Sequence, residues 1–295
     1  ACSISASSRI IGLVYEAAPG RAALDAPYES LFVGACEEAV RAAGFSLMLC
    51  GASSQEETVT QLRSWNVAGA VVMGTQRTPP YRFLEQAAIP AVFVDTYYPT
   101  DGISSVNVDD AGGARRAGDE MGRAGHRQVA FVGPSADVNG VVRARLDGLR
   151  EGLGPHGAHV RREHVILTDV TFTDGQAAAE RLVRRSDRVT AVLASGDVLA
   201  IGLLAGLRRQ GVSVPGEMSV VGFDGLEMAS YVDPPLTTVF QPVREKAAMA
   251  VRYLVNALDP DAGEPEQVVL PVRWVPGGTL GRAVAPTEEN RNEDQ

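Results

Sequence analysis

Two aspartates stand at the ends of strand-like runs, where a rigid backbone could present them to a ligand. Asp95 and Asp224 each follow a short apolar run. Carboxylates in such places, together with guanidinium groups, are the bidentate partners that small polyhydroxylated ligands need. Arg143 and Arg145, in an amphipathic stretch, could supply a guanidinium. Each aspartate could equally cap the next turn and each arginine could belong to a solvated helix face, so these residue types alone leave the site open.

Aromatic residues near the predicted strand ends could stack on a sugar or a base ring. They are Tyr15, Tyr28, Phe172 and Phe223. An aromatic side chain beside a strand belongs more often to the core, so each is a weak signal by itself. Their shared position after strands adds modestly to the case for a ligand site.

Signatures of the common enzyme classes are missing. No Gly-x-Gly-x-x-Gly turn follows a strand, and no Gly-x-x-x-x-Gly-Lys-Ser/Thr loop is present, so nucleotide-dependent catalysis has no signature. Ser195 follows a strand and precedes Gly196, but the Gly-x-Ser-x-Gly elbow is incomplete and no partner histidine is evident, which disfavours a serine hydrolase. We therefore expect no catalytic residue, no cofactor and no enzyme activity.

The histidines do not indicate a metal site. His156, His159 and His164 cluster in a polar connector, where no acidic or cysteine ligand repeats beside them at helical spacing. A solvated loop is the favoured interpretation. His126 follows Gly125 and precedes a strand, which is typical of a turn that ends a helix.

The composition describes an acidic protein with an ordinary core. Its 295 residues, 45% of them hydrophobic, suffice for two domains or for one domain in two lobes. Because 36 acidic residues face 27 basic ones, for a net charge of -9, we expect no nucleic-acid surface on this segment. The sequence contains no apolar run of roughly 18 residues, so no membrane-spanning helix is predicted. Three cysteines without metal-ligand spacing favour a reducing cytoplasm over a disulfide framework.

Short apolar runs alternate with longer helical patterns along the chain. The runs are nearly continuously apolar, as in parallel strands covered on both faces. Pro27, near a first helical turn, and Asp197, as an N-cap, mark two of the helices. The alternation predicts an α/β fold, and two doubly wound sheets with a cleft between them are more economical than one very wide sheet. The predicted strands are Arg9–Tyr15, Phe45–Cys50, Gly69–Met73, Ala91–Asp95, Ser105–Val108, Gln128–Val132, Val189–Ala194 and Ser219–Phe223.

Two segments near residues 214–242 are the most specific in the chain. Residues 214–225 read VPGEMSVVGFDG, and residues 234–242 read PPLTTVFQP. Residues 108–113, 124–133 and 143–148 add VDDAGG, AGHRQVAFVG and RARLDG. In this order, and over roughly residues 9–280, these segments resemble the lactose-repressor/galactose-repressor (LacI/GalR) family of bacterial transcriptional regulators.

The resemblance implies a periplasmic-binding-protein-like type I fold, in which two doubly wound parallel-sheet lobes are joined by three crossovers. The crossovers would lie near Val108, Phe240 and Gln267. The N-terminal lobe would then consist of residues 9–107 with 241–265, and the C-terminal lobe of residues 108–240 with 266–282. Residues 1–8, as a linker remnant, and the tail 283–295 lack an apolar period and are expected to be disordered.

The family pattern also implies the ligand-binding residues. Asp95, Arg145, Asp224 and Gln241 fall on effector-contacting positions, Tyr28 falls on an aromatic one, and Ser195 and Phe223 complete the predicted set. One departure concerns Ser195-Gly196-Asp197, where many sugar-responsive members have Ala-Asn-Asp and thus an amide that binds a hydroxyl. Purine-responsive members look similar there. The loop of residues 16–27 is also longer than usual.

The resemblance implies the effector-binding core of a cytoplasmic transcriptional regulator that forms a homodimer and does not contact membranes. A small molecule, a sugar in preference to a nucleoside or purine, would bind in the interlobe cleft. It would control operator binding by an N-terminal headpiece, which the eight residues before Arg9 cannot supply. The alternative is an exported sugar-binding receptor of a transporter, a monomer of the same fold, although no export signal is recognisable here.

Overall fold

The computed structural model describes residues 8–16, 26–52, 54–74, 84, 87–97, 102–136, 140–184, 189–259, 261 and 263–284. The chain divides into two compact units, each assembled from separate segments. The first unit takes Ala1–Asp109, Ala136–Val141 and Pro242–Pro271, and the second takes Asp110–Ser135, Val142–Gln241 and Val272–Gln295. Of the ends predicted to be disordered, residues 1–7 and 285–295 lie outside the described residues.

The first unit contains a six-stranded, fully parallel sheet in the order β11-β5-β4-β3-β1-β2. Its central strands are apolar and buried, and all five residues of β3 are buried. Helix α1 begins with Pro27 in its first turn, where a missing N–H costs nothing, and α7 packs against it. The elements are β1 Ile10–Glu16, α1 Pro27–Ala42, β2 Ser46–Ala52, α2 Gln55–Ser64, β3 Gly69–Met73, β4 Ala91–Val94, β5 Ser104–Val108, α7 Val243–Ala257 and β11 Gln267–Leu270.

The second unit contains another six-stranded sheet, in the order β12-β10-β9-β8-β6-β7. Its strands are parallel except for β12, which pairs antiparallel with β10. The elements are α3 Asp110–Arg123, β6 Val129–Gly133, α4 Gly140–Leu153, β7 Val165–Leu167, α5 Phe172–Val183, β8 Ala191–Ala194, α6 Asp197–Arg209, β9 Ser219–Asp224, β10 Thr237–Phe240 and β12 Arg273–Val275. Within the described residues, no helix combines the length and the hydrophobicity that crossing a bilayer requires.

Two glycines allow α5 and α6 to touch through their backbones. A β-carbon on Gly175 would lie 2.3 Å from the Leu199 carbonyl oxygen, and one on Gly202 would lie 2.1 Å from the Phe172 carbonyl oxygen. Any larger residue at either position would push the helices apart. This contact fixes the first turn of α6, which begins at Asp197 beside the polar residues described below.

The predicted α/β class with two doubly wound sheets is confirmed, and all eight predicted strands are present: Gly69–Met73 has the predicted ends, and the other seven have ends shifted by one or two residues. The short strands β7, β10, β11 and β12 were not predicted. Residues 267–270 pair with β5 in the first sheet. Residues 266–282 were predicted to lie in the second lobe, whereas the observed division between the two units falls after Pro271. Gln241 belongs to the second unit.

Two local predictions need correction. Asp197 is not the N-cap of α6, because Gly196 holds that position and Asp197 is the first helical residue, fully buried. One member of the histidine cluster is fully buried, and another is partly buried in contact with a carboxylate. His164 is buried, and His156 lies against Asp119 with 2.9 Å between its Nε2 and the carboxylate. His126 does follow a helix end at Gly125, where it bridges Thr190 and the Gly281 carbonyl, and burial lowers its pKa.

Candidate functional site

The first unit holds a closed triangle of polar side chains, called here the first cluster: Tyr28, Asp95 and Lys246. The Tyr28 hydroxyl donates to Asp95 Oδ2 at 2.7 Å. Lys246 Nζ donates to Asp95 Oδ1 at 2.7 Å and to the Tyr28 hydroxyl oxygen at 2.5 Å. Each carboxylate oxygen of Asp95 therefore has a charged or hydroxyl donor, and the ammonium balances its charge.

Three elements bring the first cluster together. Tyr28 lies in the first turn of α1, Lys246 lies near the start of α7, and Asp95 directly follows β4. Asp95 has a φ of 58°, a left-handed conformation that is uncommon for a residue with a side chain. The next residue is held by Asn107 of β5, whose Oδ1 accepts from the Thr96 N–H at 2.9 Å and whose amide donates to the Thr96 carbonyl at 2.8 Å. This clamp keeps the backbone at Asp95 in place.

A buried thiol adjoins the first cluster. Cys36 of α1 is inaccessible, and burial raises the pKa of its thiol to about 12, although the nearby Lys246 ammonium partly opposes that rise. Cys36 therefore stays protonated at neutral pH and acts as an apolar wall.

The second unit holds a larger network, called here the second cluster: Asp110, Arg145, Asp224 and Gln241. Arg145 Nε donates to Asp110 Oδ1 at 2.7 Å, and its Nη1 lies 3.7 Å from Asp224 Oδ1. Gln241 Nε2 donates to the same Asp224 oxygen at 2.7 Å. All four side chains are at least nine-tenths buried. The fork of guanidinium donors thus serves several acceptors at once.

Arg145 is held on two further sides. Its Nη1 donates to the Ser195 carbonyl oxygen, and its guanidinium carbon lies 3.7 Å from the centre of the Phe223 ring. Such stacking is a favourable cation–π arrangement, and it is stronger when water is excluded. The orientation of Arg145 is therefore fixed before any ligand arrives.

Asp224 ends β9 in an unusual backbone conformation, with a φ of 116°. Asp197 anchors the chain just beyond it: its carboxylate accepts from the Leu226 N–H at 2.7 Å and from the Thr238 hydroxyl at 2.6 Å. Burial raises the pKa of Asp197 well above its usual range, and the nearby charge of Asp224 adds to the rise. Strained conformations of this kind persist where the surrounding structure holds them, and they occur most often at functional sites.

The structure brings the predicted site residues together in two groups. Tyr28 and Asp95 meet in the first cluster, and Arg145, Asp224 and Gln241 meet in the second. Ser195 contributes its carbonyl, while its hydroxyl oxygen is buried without a hydrogen-bond partner among the described residues. Phe223 is fully buried under Arg145, so it supports the guanidinium instead of offering a ring face to a ligand.

Two charged members of the clusters were not predicted. Lys246 interrupts the apolar stripe of α7 formed by Val243, Ala247 and Ala250, and a charge within such a stripe was the available signal. Asp110 comes second in an Asp-Asp pair at the start of α3, and an acidic pair in that place is typical of a cap. No group of three or more potential metal ligands occurs in the part of the chain that the structure describes.

Comparison with known proteins identifies the family. The model of the periplasmic binding protein-like domain matches residues 119–280. The HTH-type transcriptional regulator CelR of Thermobifida fusca is 32% identical over 234 residues, which are 77% of this chain and 68% of that protein. A transcriptional regulator CelR–cellobiose complex has a TM-score of 0.84 at 27% identity, over 92% of this chain and 84% of that one.

A LacI-family transcriptional regulator from Enterococcus faecium with bound ribose has a TM-score of 0.81 at 25% identity, over 92% of this chain and 98% of that one. The residues that the family model matches include the segments that hold Asp224 and Gln241. The chain therefore belongs to the periplasmic-binding-protein-like family and, within it, to the transcriptional regulators of the LacI family.

Proposed function

We propose that this chain binds a small, uncharged sugar as its effector, and that Asp95 of the first cluster and Arg145, Asp224 and Gln241 of the second supply the hydrogen bonds. The observation that carries the proposal is the pair of buried polar clusters, each built around an aspartate with positive φ at a strand end. Pre-oriented carboxylates, an amide and a guanidinium are the groups that recognise hydroxyl patterns.

Two similar structures whose bound ligand is named favour a sugar over a nucleoside or purine. One similar regulator is seen with cellobiose and another with ribose. Phe223, one of the aromatic residues available for stacking on a base, lies beneath Arg145 and is fully buried. The proposed ligand-binding residues therefore offer mainly hydrogen-bonding groups, which suit sugar hydroxyls.

The proposed role is to regulate transcription from the cytoplasm. Effector binding would change the operator affinity of a headpiece joined to this core, to the extent that the effector prefers one of two conformations. The similar proteins are transcriptional regulators, which favours this role over an exported transport receptor and over an enzyme.

We further propose that the core forms a homodimer. Sedimentation equilibrium of the purified chain over a wide concentration range tests this directly. A mass that stays at one chain of 31.1 kDa at every concentration would contradict the dimer.

A thermal-shift screen tests the effector. Cellobiose, ribose, adenosine and hypoxanthine are each added to the chain, to Asp224→Asn and to Asp95→Asn. A sugar present at 100 times its dissociation constant stabilises the wild type by about 2.7 kcal/mol, and each variant should lose most of that shift. Asp147→Asn, which removes an exposed carboxylate from α4, is the matched control. Equal shifts in the wild type and in both cluster variants would refute the assigned residues.

A further inference from the structure

Lys246 is the only lysine in the chain, whereas the other 26 basic residues are arginines. It is also fully buried, whereas arginines such as Arg41, Arg184 and Arg244 lie at the surface in exposed ion pairs. A chain that uses arginine at every other cationic position has a lysine where a single carboxylate must be paired out of contact with water. The use of lysine at this one position suggests that an arginine would not fit the hydrogen bonds made there.

The geometry explains the requirement. An ammonium is a compact charge with three donors, and Lys246 Nζ directs two of them to Asp95 Oδ1 and the Tyr28 hydroxyl. A guanidinium has five donors in a wider planar fork, whose fixed directions do not suit two acceptors that converge on a single nitrogen. Tyr28 closes the ring by donating to Asp95 Oδ2.

We propose that Lys246 is a positioning residue of the ligand site: it fixes the orientation and balances the charge of the Asp95 carboxylate. A carboxylate has lone pairs for about four hydrogen bonds, so Asp95 keeps acceptor capacity for ligand hydroxyls while Lys246 and Tyr28 hold it still. Because its charge is already balanced, the carboxylate recognises neutral hydroxyl donors without requiring a cationic ligand. The inference rests on the proposed sugar-binding function for its ligand, but the pairing itself can be tested without one.

The first experiment needs no ligand. Because the chain contains one lysine, [15N]lysine labels one side-chain ammonium, and the exchange of its Nζ hydrogens with water can be followed by NMR. Pairing with Asp95 predicts slow exchange in the wild type and exchange at least about tenfold faster in Asp95→Asn, since a charge-assisted hydrogen bond is lost. Glu38→Gln is the matched control, because Glu38 pairs with Arg244 on the same helix as Lys246. Equal exchange in the wild type and Asp95→Asn would overturn the proposal.

The second experiment measures affinity for cellobiose and for ribose by calorimetry. Lys246→Met should weaken the binding of whichever sugar the wild type binds by about tenfold or more, the equivalent of one charge-assisted hydrogen bond. Lys246→Arg should fail to restore it. Arg244→Met removes a cation from the same helix at an exposed position and should leave the affinity unchanged.

A double variant keeps the test decisive if Lys246→Met does not fold. Lys246→Met with Asp95→Asn leaves no unpaired charge, and its affinity should be no lower than that of Asp95→Asn alone, because both changes remove the same oriented carboxylate. Unchanged affinity in Lys246→Met, or restored affinity in Lys246→Arg, would overturn the role of Lys246. If neither sugar binds the wild type, the proposed function fails in this form, and the exchange measurement alone decides whether Lys246 holds Asp95.

Discussion

Both polar clusters neutralise an aspartate at a strand end, but they use different cations to do so. Each contains an aspartate with positive φ at a strand end, Asp95 or Asp224, and each pairs it with a buried cation from a helix. In the first cluster Lys246 pairs with one carboxylate. In the second, Arg145 serves Asp110, Asp224 and a backbone carbonyl together. The described contacts give the two cations different acceptors, one carboxylate and a hydroxyl for Lys246 against two carboxylates and a carbonyl for Arg145, and the wide fork of a guanidinium suits the second set.

The largest expected effect is that of removing the cation of the second cluster. Arg145→Met leaves two buried carboxylates, Asp110 and Asp224, without their common partner. This should destabilise the second unit by about 3–5 kcal/mol. Arg145→Lys should recover only part of the loss, because one ammonium cannot reach all three acceptors.

Urea unfolding followed by tryptophan fluorescence measures this effect. In a Trp65→Phe background, Trp274 reports on the second unit. Arg150→Met is the control, since Arg150 lies on the same helix in an exposed ion pair with Asp147 and should cost little. If Arg145→Lys were as stable as the wild type, the distinction between the two cations would not hold.

A smaller effect is expected from the aromatic ring beneath the cation, which is closer in the second cluster, with 3.7 Å between the Arg145 guanidinium carbon and the centre of the Phe223 ring, than in the first, with 5.0 Å between Lys246 Nζ and the centre of the Tyr28 ring. Phe223→Leu removes the ring beneath Arg145 and should cost about 1–2 kcal/mol, from the loss of both packing and cation–π attraction. Phe131→Leu is a matched control, because Phe131 is also fully buried in the second sheet. Phe223→Leu should weaken effector binding more than Phe131→Leu does. If Phe223→Leu and Phe131→Leu lost the same affinity for the effector, the Phe223 ring would contribute only to core packing.

The smallest effect concerns the pH dependence of stability that Asp197, beside the second cluster, should cause. Because the pKa of Asp197 is raised in the folded state, its contribution to stability is full below its usual value of 3.8 and is lost as the pH rises through the folded value. Asp197→Asn does not titrate. The stability of the wild type relative to Asp197→Asn should therefore fall with rising pH, as measured by urea unfolding at a series of pH values. A constant difference would show that Asp197 titrates normally.

What the sequence could reveal about the site depended on distance along the chain. Asp95 and Asp224 could be found because a strand end is a local feature, recognisable from the preceding apolar run. Lys246 could not be paired with Asp95 in the same way, because 151 residues separate them. Phe223 was expected to face a ligand, since nothing in the sequence shows which side of β9 meets Arg145.

The strands, too, could be predicted only where the local sequence carries a clear pattern. The long, continuously apolar strands were recognisable, whereas β7 and β12 have three residues each and carry little pattern. β11 alternates exposed and less exposed residues at a sheet edge, so its partner is set by tertiary structure. Whether β11 joins the first or the second sheet depends on the path of the chain after α7. The residues of Gln267–Leu270 themselves do not determine that path.

The separation of partners along the chain also sets an order of assembly during synthesis. Arg145 emerges from the ribosome 35 residues after Asp110, whereas Lys246 emerges 151 residues after Asp95. At about 5–20 residues per second, Asp95 waits on the order of 10–30 s for its cation. During that time β11, an edge strand of the first sheet, is also missing. Until then the first unit is incomplete and Asp95 lacks its cation, so this unit can finish folding only after most of the chain has been made.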